Sequence, residues 1–276
     1  MAIRDVMVYL DRSPHAAARL QLAAKLAAGL GATLAGLRVE VHMEVPQAFR
    51  AAIRAELLEI PAQAIRDDTK RIEADLRAAA DVADVACEWW AREGGGVEEV
   101  VRSARYADLT VVGLPPKDHD EELPADDLIH ALLFGSGRPV LVVPDPAPAA
   151  TPGRHVAVAW NASRECSRAV ADSLSLLQKA DKVSVVTVCR GDDRPKLDDL
   201  ADAVRHLIRN GVKAEALHVE GGDRRAGEAL VGAATAAGAD LLVMGAYGQS
   251  RMREMVLGGA TWNILHRAAM PVLMSH

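Results

Sequence analysis

Ala239-Asp240-Leu241-Leu242-Val243-Met244-Gly245-Ala246-Tyr247-Gly248, continued after nine residues by Gly258-Gly259-Ala260-Thr261, is the stretch from which the fold can be read. Leu241 to Met244 are continuously apolar, as in a parallel strand buried on both faces. Gly245 and Gly248 follow at the carboxyl end of that strand, where an open α/β sheet holds its ligand. Gly258 to Thr261 open a helical run that ends near Arg267, ahead of a strand from Pro271 to Met274. Glycines there let a backbone approach a ligand closely, and the free N–H groups and dipole of a helix start suit a phosphate.

Working outward, the stretch has a copy. Ala107-Asp108-Leu109-Thr110-Val111-Val112-Gly113 lies 132 positions before Ala239 to Gly245, and the same offset pairs Pro139-Val140-Leu141 with Pro271-Val272-Leu273. Two homologous halves are the economical explanation. Between them Pro144 to Gly153 is a Pro/Ala linker, beyond which Val156 to Trp160 repeats the strand Val6 to Leu10. Asn161-Ala162-Ser163 then stands where Asp11-Arg12-Ser13 stood. The predicted units are residues 1–144, a linker at 145–153, and residues 154–276, each half alternating strand and helix with five strands and about four helices.

Within the first half, Ser13 is expected to cap a helix with Pro14 at its first position. Gly29-Leu30-Gly31 follows that helix and precedes a strand, the wrong order for a dinucleotide loop, and reads as a C-cap. Pro46 to Ala80 is a long helical stretch that Pro61 is expected to kink or divide. It has no equal in the second half and offers a surface for a homodimer. Trp89 and Trp90 alternate across a strand, so their rings should face opposite sides.

Half of the residues are hydrophobic and only 3% aromatic, so the core must be built from Ala, Val and Leu, a mix that suits helices on a parallel sheet. A formal net charge of −6 opposes nucleic-acid binding. Cys87, Cys166 and Cys189 have no metal or redox spacing and are expected to be buried, reduced thiols. No run of 18 apolar residues and no signal peptide is present, so a cytoplasmic protein without a membrane partner is expected. Walker, nucleophile-elbow and metal-binding motifs are missing, and His130 and His266 read as surface or packing residues.

The Gly-x2-Gly-x9-Gly spacing resembles the nucleotide loop of the universal stress protein family, and the duplication resembles its tandem members. The resemblance implies two Rossmann-like (adenine nucleotide alpha hydrolase-like) domains, each a five-stranded parallel sheet flanked by helices. It also implies that they pair as an intramolecular pseudo-dimer. The implied ligand is ATP or another adenine nucleotide, with or without Mg, at no more than one site, in the C-terminal half. Carried over by position, Asn161 takes the acidic place after the first strand and Val188 lies near the adenine. Met244, Gly245, Tyr247 and Gly248 begin the loop, with Gly258, Gly259, Ala260 and Thr261 at the phosphates. The chain departs from the family where Gly259 replaces Ser/Thr and Asn161 replaces Asp, losing a hydroxyl and a charge.

The first half departs further. Pro116 and Asp126-Asp127 replace the loop glycines, and Lys117 to Asp127 carries a formal charge of −5 against +1 for Arg251, Arg253 and Glu254. Such a loop repels a triphosphate. Three functions follow in order: a stress-response binding module with one nucleotide site, an interaction protein without nucleotide that meets an unidentified protein partner through its assembled surface, and a slow ATPase. The last lacks a residue that stands out as a general base, and no catalytic or metal residue is assigned.

Overall fold

The computed structural model describes residues 2–40, 55–114, 123–189, 194–221, 226–247 and 260–276. The first half of the chain forms β1 (Asp5–Tyr9), α1 (Ala16–Leu30), β2 (Thr33–Glu40), α2 (Ala55–Ala83), β3 (Cys87–Glu93), α3 (Val97–Ala104), β4 (Leu109–Leu114), α4 (Ala125–Gly135) and β5 (Val140–Pro144). The second forms β6 (His155–Ala159), α5 (Arg164–Lys179), β7 (Lys182–Cys189), α6 (Arg194–Arg209), β8 (Ala214–Glu220), α7 (Ala226–Ala236), β9 (Leu241–Gly245), α8 (Ala260–Leu265) and β10 (Val272–Ser275). The strands make one ten-stranded sheet in the order β3-β2-β1-β4-β5-β10-β9-β6-β7-β8. Within each half every neighbour is parallel, and the halves meet through β5 and β10, which run antiparallel with Leu141 opposite Leu273.

The alternation of apolar side chains along the strands builds two cores, one on each face. Val6, Val8, Val156, Val158, Val183 and Val185 meet α1, α2, α5 and α6 on one face. Met7, Tyr9, Val112, Val186, Leu242 and Met244 meet α3, α4, α7 and α8 on the other. A three-layer α/β/α sandwich results, the α/β class that the apolar runs predicted. The β5/β10 seam belongs to this core, because Val140, Leu141, Val142, Val272, Leu273 and Met274 are each 2% exposed or less. Burying each such side chain is worth about 1.5–3 kcal/mol, so the seam is interior rather than a contact between two surfaces. The outer strands β3 and β8 are more exposed and carry Glu88, Arg92, Glu93, Glu215, His218 and Glu220, charges that discourage pairing with another edge.

The repeated aspartate has a local cause. Asp240 accepts backbone hydrogen bonds from Gly153 (2.8 Å), Arg154 (3.1 Å) and His155 (3.2 Å), closing the start of β6. Asp108 accepts from the N–H groups of Arg4 (2.8 Å) and Asp5 (3.3 Å) and so closes the start of β1.

Two local expectations are corrected. α1 begins at Ala16 without a side-chain cap, and Ser13 and Pro14 lie in the turn before it. The reason is that α1 starts two residues later relative to its strand than α5 does, which puts His15 rather than Ser13 at the N-cap position. α2 runs from Ala55 to Ala83 as one helix, so of the two effects expected of Pro61, division is the one overturned, the proline removing a single backbone donor from a helix long enough to tolerate it. Pro46 to Arg54 lie outside the described residues. Gly31 does cap α1, at φ 70°, and Trp89 and Trp90 pack toward opposite faces of the sheet.

Candidate functional site

In each half the first strand lies beside the fourth, and the chain leaves these two neighbours toward opposite flanks of the sheet. A crevice opens at such a switch point, outside the carboxyl ends of the strands. In the second half the switch point lies between β6 and β9, with Val158 opposite Val243 in register. Asn161 follows β6, Val188 ends β7 and Met244 to Tyr247 end β9, so these predicted residues share one end of three adjacent strands. The β6 and β7 ends are tied by Trp160 N–H to the Val186 carbonyl (2.9 Å) and by Thr187 Oγ1 to the Trp160 carbonyl (3.0 Å).

Above the crevice stands the first turn of α5. Ser163 caps it, accepting the Cys166 N–H at 3.2 Å. Asn161 Oδ1 accepts from the Ser163 N–H at 3.1 Å and from Cys166 Sγ at 2.9 Å. Those donors fix the amide orientation, so exposed Asn161 presents its NH2 group to solvent. Gly245 lies under the same turn. A Cβ on Gly245 would come within 2.5 Å of the Cys166 nitrogen and the Glu165 carbonyl carbon. Its missing side chain therefore serves strand-to-helix packing, a use the expectation of close ligand approach had not included.

Met244 is 5% exposed and buried in the second core, within the ladder between β9 and β10, whereas Val188 is half-buried. Tyr247 has φ 53°, and its N–H donates to Thr261 Oγ1 at 3.4 Å. Thr261 is buried, and Ala260 begins α8. Gly248, Gly258 and Gly259 lie outside the described residues, as do Pro116 and most of the acidic stretch.

The equivalent crevice in the first half is filled from within. Asp11 Oδ1 accepts from Ser13, and Oδ2 accepts from Arg19 at 2.7 Å. Arg19 is 3% exposed, also donates to the Tyr9 carbonyl at 3.1 Å, and covers the side of Gly113 where a Cβ would stand. Arg38, the register counterpart of Thr187, is 1% exposed and donates to the Leu10 carbonyl at 3.2 Å. Val39, the counterpart of Val188, is wholly buried. The sequence reading missed Arg19 and Arg38. Aligning β2 with β7 would have shown an arginine opposite a threonine.

His266 lies 3.7 Å from Asp126 and His130 packs against the Phe134 ring, so both histidines have packing or surface partners. Cys166 and Cys189 are buried and Cys87 is half-buried, all unpaired. Among the described residues no three His, Cys, Asp or Glu side chains gather in a metal-binding cluster, and no helix is long and apolar enough to cross a membrane.

Comparison with known proteins finds that the sequence profile of the universal stress protein family matches residues 153–276. Universal stress protein Slr1230 of Synechocystis sp. is 31% identical over 138 residues, which are 49% of this chain and 46% of that protein, so the match spans about half of each. The crystal structure of a universal stress protein from Archaeoglobus fulgidus is similar in fold, with a TM-score of 0.75 at 14% identity, covering 98% of this chain and 97% of that one. A putative universal stress protein from Pseudomonas aeruginosa gives 0.56 at 17% identity, over 99% and 93% of the two chains.

Proposed function

Residues 153–276 match the universal stress protein family, and from that premise we propose that the chain is a member of it, a stress-response module binding one adenine nucleotide in its C-terminal half. One observation carries the reading: the two crevices differ in what their first-strand polar residue has left to offer. Asp11 has both oxygens committed to Ser13 and to buried Arg19, while Asn161 keeps its amide NH2 facing outward beside half-buried Val188. A nucleotide entering the first half would have to displace a buried ion pair, which costs several kcal/mol by leaving a charge uncompensated. Adenine is assigned to Val188 and Asn161. The phosphates are assigned to the chain from Gly245 to Gly248 and from Gly258 to Thr261. Residues 1–144 and 154–276 act as two domains joined by 145–153 and pair across β5 and β10 as a pseudo-dimer, in a cytoplasmic protein.

Equilibrium dialysis with ATP, ADP and AMP tests this. One nucleotide per chain is expected, abolished by Gly258→Val, which places a side chain where the phosphate is assigned, and retained in Asp126→Val. Two equivalent sites would contradict the assignment, and undetectable binding in wild type, Gly259→Ser and Asn161→Asp alike would favour an interaction protein working through its surface.

A further inference from the structure

We infer that Phe134 and His130, on α4 of the N-terminal half, are positioning residues for the nucleotide site of the C-terminal half, which is complete only when the two halves are docked. The inference rests on the nucleotide reading above and adds who holds the site in shape. Tyr247 is the residue from which the chain leaves β9 toward the phosphate segment. It stands at φ 53°, a left-handed conformation that a tyrosine keeps only where its surroundings hold it.

The holding groups come from three directions. Its N–H is bonded to Thr261 Oγ1 at 3.4 Å, and the carbonyl of Ala246 before it accepts from His276 Nδ1 at 3.0 Å. Its ring lies 5.4 Å from that of Phe134 and 5.7 Å from that of His130, the latter edge-on at 77°. Phe134 also meets the His276 ring at 4.3 Å. α4 is itself fixed in the core by Leu128, Ile129, Leu132 and Leu133, each 3% exposed or less. The first half thus supplies one wall of a clamp on the second, and a shift of α4 moves the start of the phosphate segment. In sequence the counterpart of Tyr247 at the repeat offset is Pro115, which has no aromatic ring.

The test measures ATP affinity of the full chain by calorimetry in wild type, Phe134→Ala, His130→Ala, Tyr247→Gly, and Phe134→Ala combined with Tyr247→Gly. Lys179→Ala is the control, since it removes a 2.6 Å bond from Lys179 Nζ to the Gly29 carbonyl that joins the halves through α5 and α1, on the other face of the sheet. Phe134→Ala should raise the Kd about three- to tenfold, as loss of an aromatic pair predicts. Exposed His130, whose loss does not threaten the fold, should give a smaller rise in the same direction. Phe134→Tyr should restore wild-type affinity, and Lys179→Ala should leave it unchanged. In the double variant the Phe134 effect should fall well below its size in the wild-type background, because its main reach to the site is the Tyr247 ring, with the His276 ring that holds the Ala246 carbonyl as a second, weaker path. Additive losses, or an unchanged Kd in both Phe134→Ala and His130→Ala, would overturn the inference while the nucleotide reading stands. A wild-type chain that binds no ATP would overturn both.

Discussion

Asp240→Ala should be the most costly single truncation of an unburied side chain in the second half. The carboxylate of Asp240 holds three backbone N–H groups, those of Gly153 and His155 on one oxygen and that of Arg154 on the other. A hydrogen bond to a charged group is worth about 1.5–3 kcal/mol where solvent cannot replace it, and here Arg154 is exposed while the other two residues are half-buried. Counting water as a partial substitute for each gives a loss of about 2–4 kcal/mol, or roughly 6–12 °C in Tm at about 3 °C per kcal/mol for a chain of this length. Asp240→Asn should cost less, about 1–2 kcal/mol, because the retained oxygen still serves Gly153 and His155 while the new NH2 faces the Arg154 N–H. Urea unfolding followed by circular dichroism reads both. Asp240→Ala within about 0.5 kcal/mol of wild type, or Asn as damaging as Ala, would refute the reasoning that the repeated aspartate is kept to close the start of the strand.

The remaining predictions concern packing and pH. Gly245→Ala should destabilise by about 1–3 kcal/mol, since the new Cβ meets backbone of α5 and cannot be relieved by a rotamer change. Gly232→Ala, in α7 with nothing near its Cβ position, should instead stabilise by about 0.5–1 kcal/mol in the same unfolding assay. Glu215 titrates below the usual carboxylate value of 4.5, first because it accepts a hydrogen bond from Lys182 (2.7 Å), with Ser184 (3.1 Å) adding to it against the opposing effect of partial burial. A lowered folded value means that stability is present above the unfolded value and lost as pH falls through the folded one. Glu215→Gln should therefore be less stable than wild type at neutral pH, by under about 1 kcal/mol for so exposed a pair, and equal to it in strong acid. A difference that grows on acidification would show that the sign is wrong.

The strands were legible because they are written in local pattern. Leu241 to Met244 are apolar at every position and Leu109 to Val112 at all but Thr110, which a strand covered on both faces explains. What was not legible depends on partners far away in sequence. Nothing local distinguishes Arg19, buried over Gly113, from a surface arginine of an Ala-rich helix, and the use of Gly245 by the first turn of α5 is invisible without the crossing of helix and strand. Ser13 and Ser163 carry the same pattern, yet only Ser163 caps a helix, because α1 starts two residues later relative to its strand than α5 does. Tyr247 was read as a loop residue of the site, and its ring contacts with the other half could not be read from either half alone.

The antiparallel seam between β5 and β10 has a consequence for how such a chain can change over generations. Two separate copies meeting across such a seam must carry every substitution twice, so a residue that spoils one crevice spoils the other. Joined in one chain, the two sides are free to diverge. Arg19 sits in one half while Ala169 stands at its counterpart, and Pro115 answers Tyr247. Selection can then fill one crevice, as buried Arg19 does, while the other stays open.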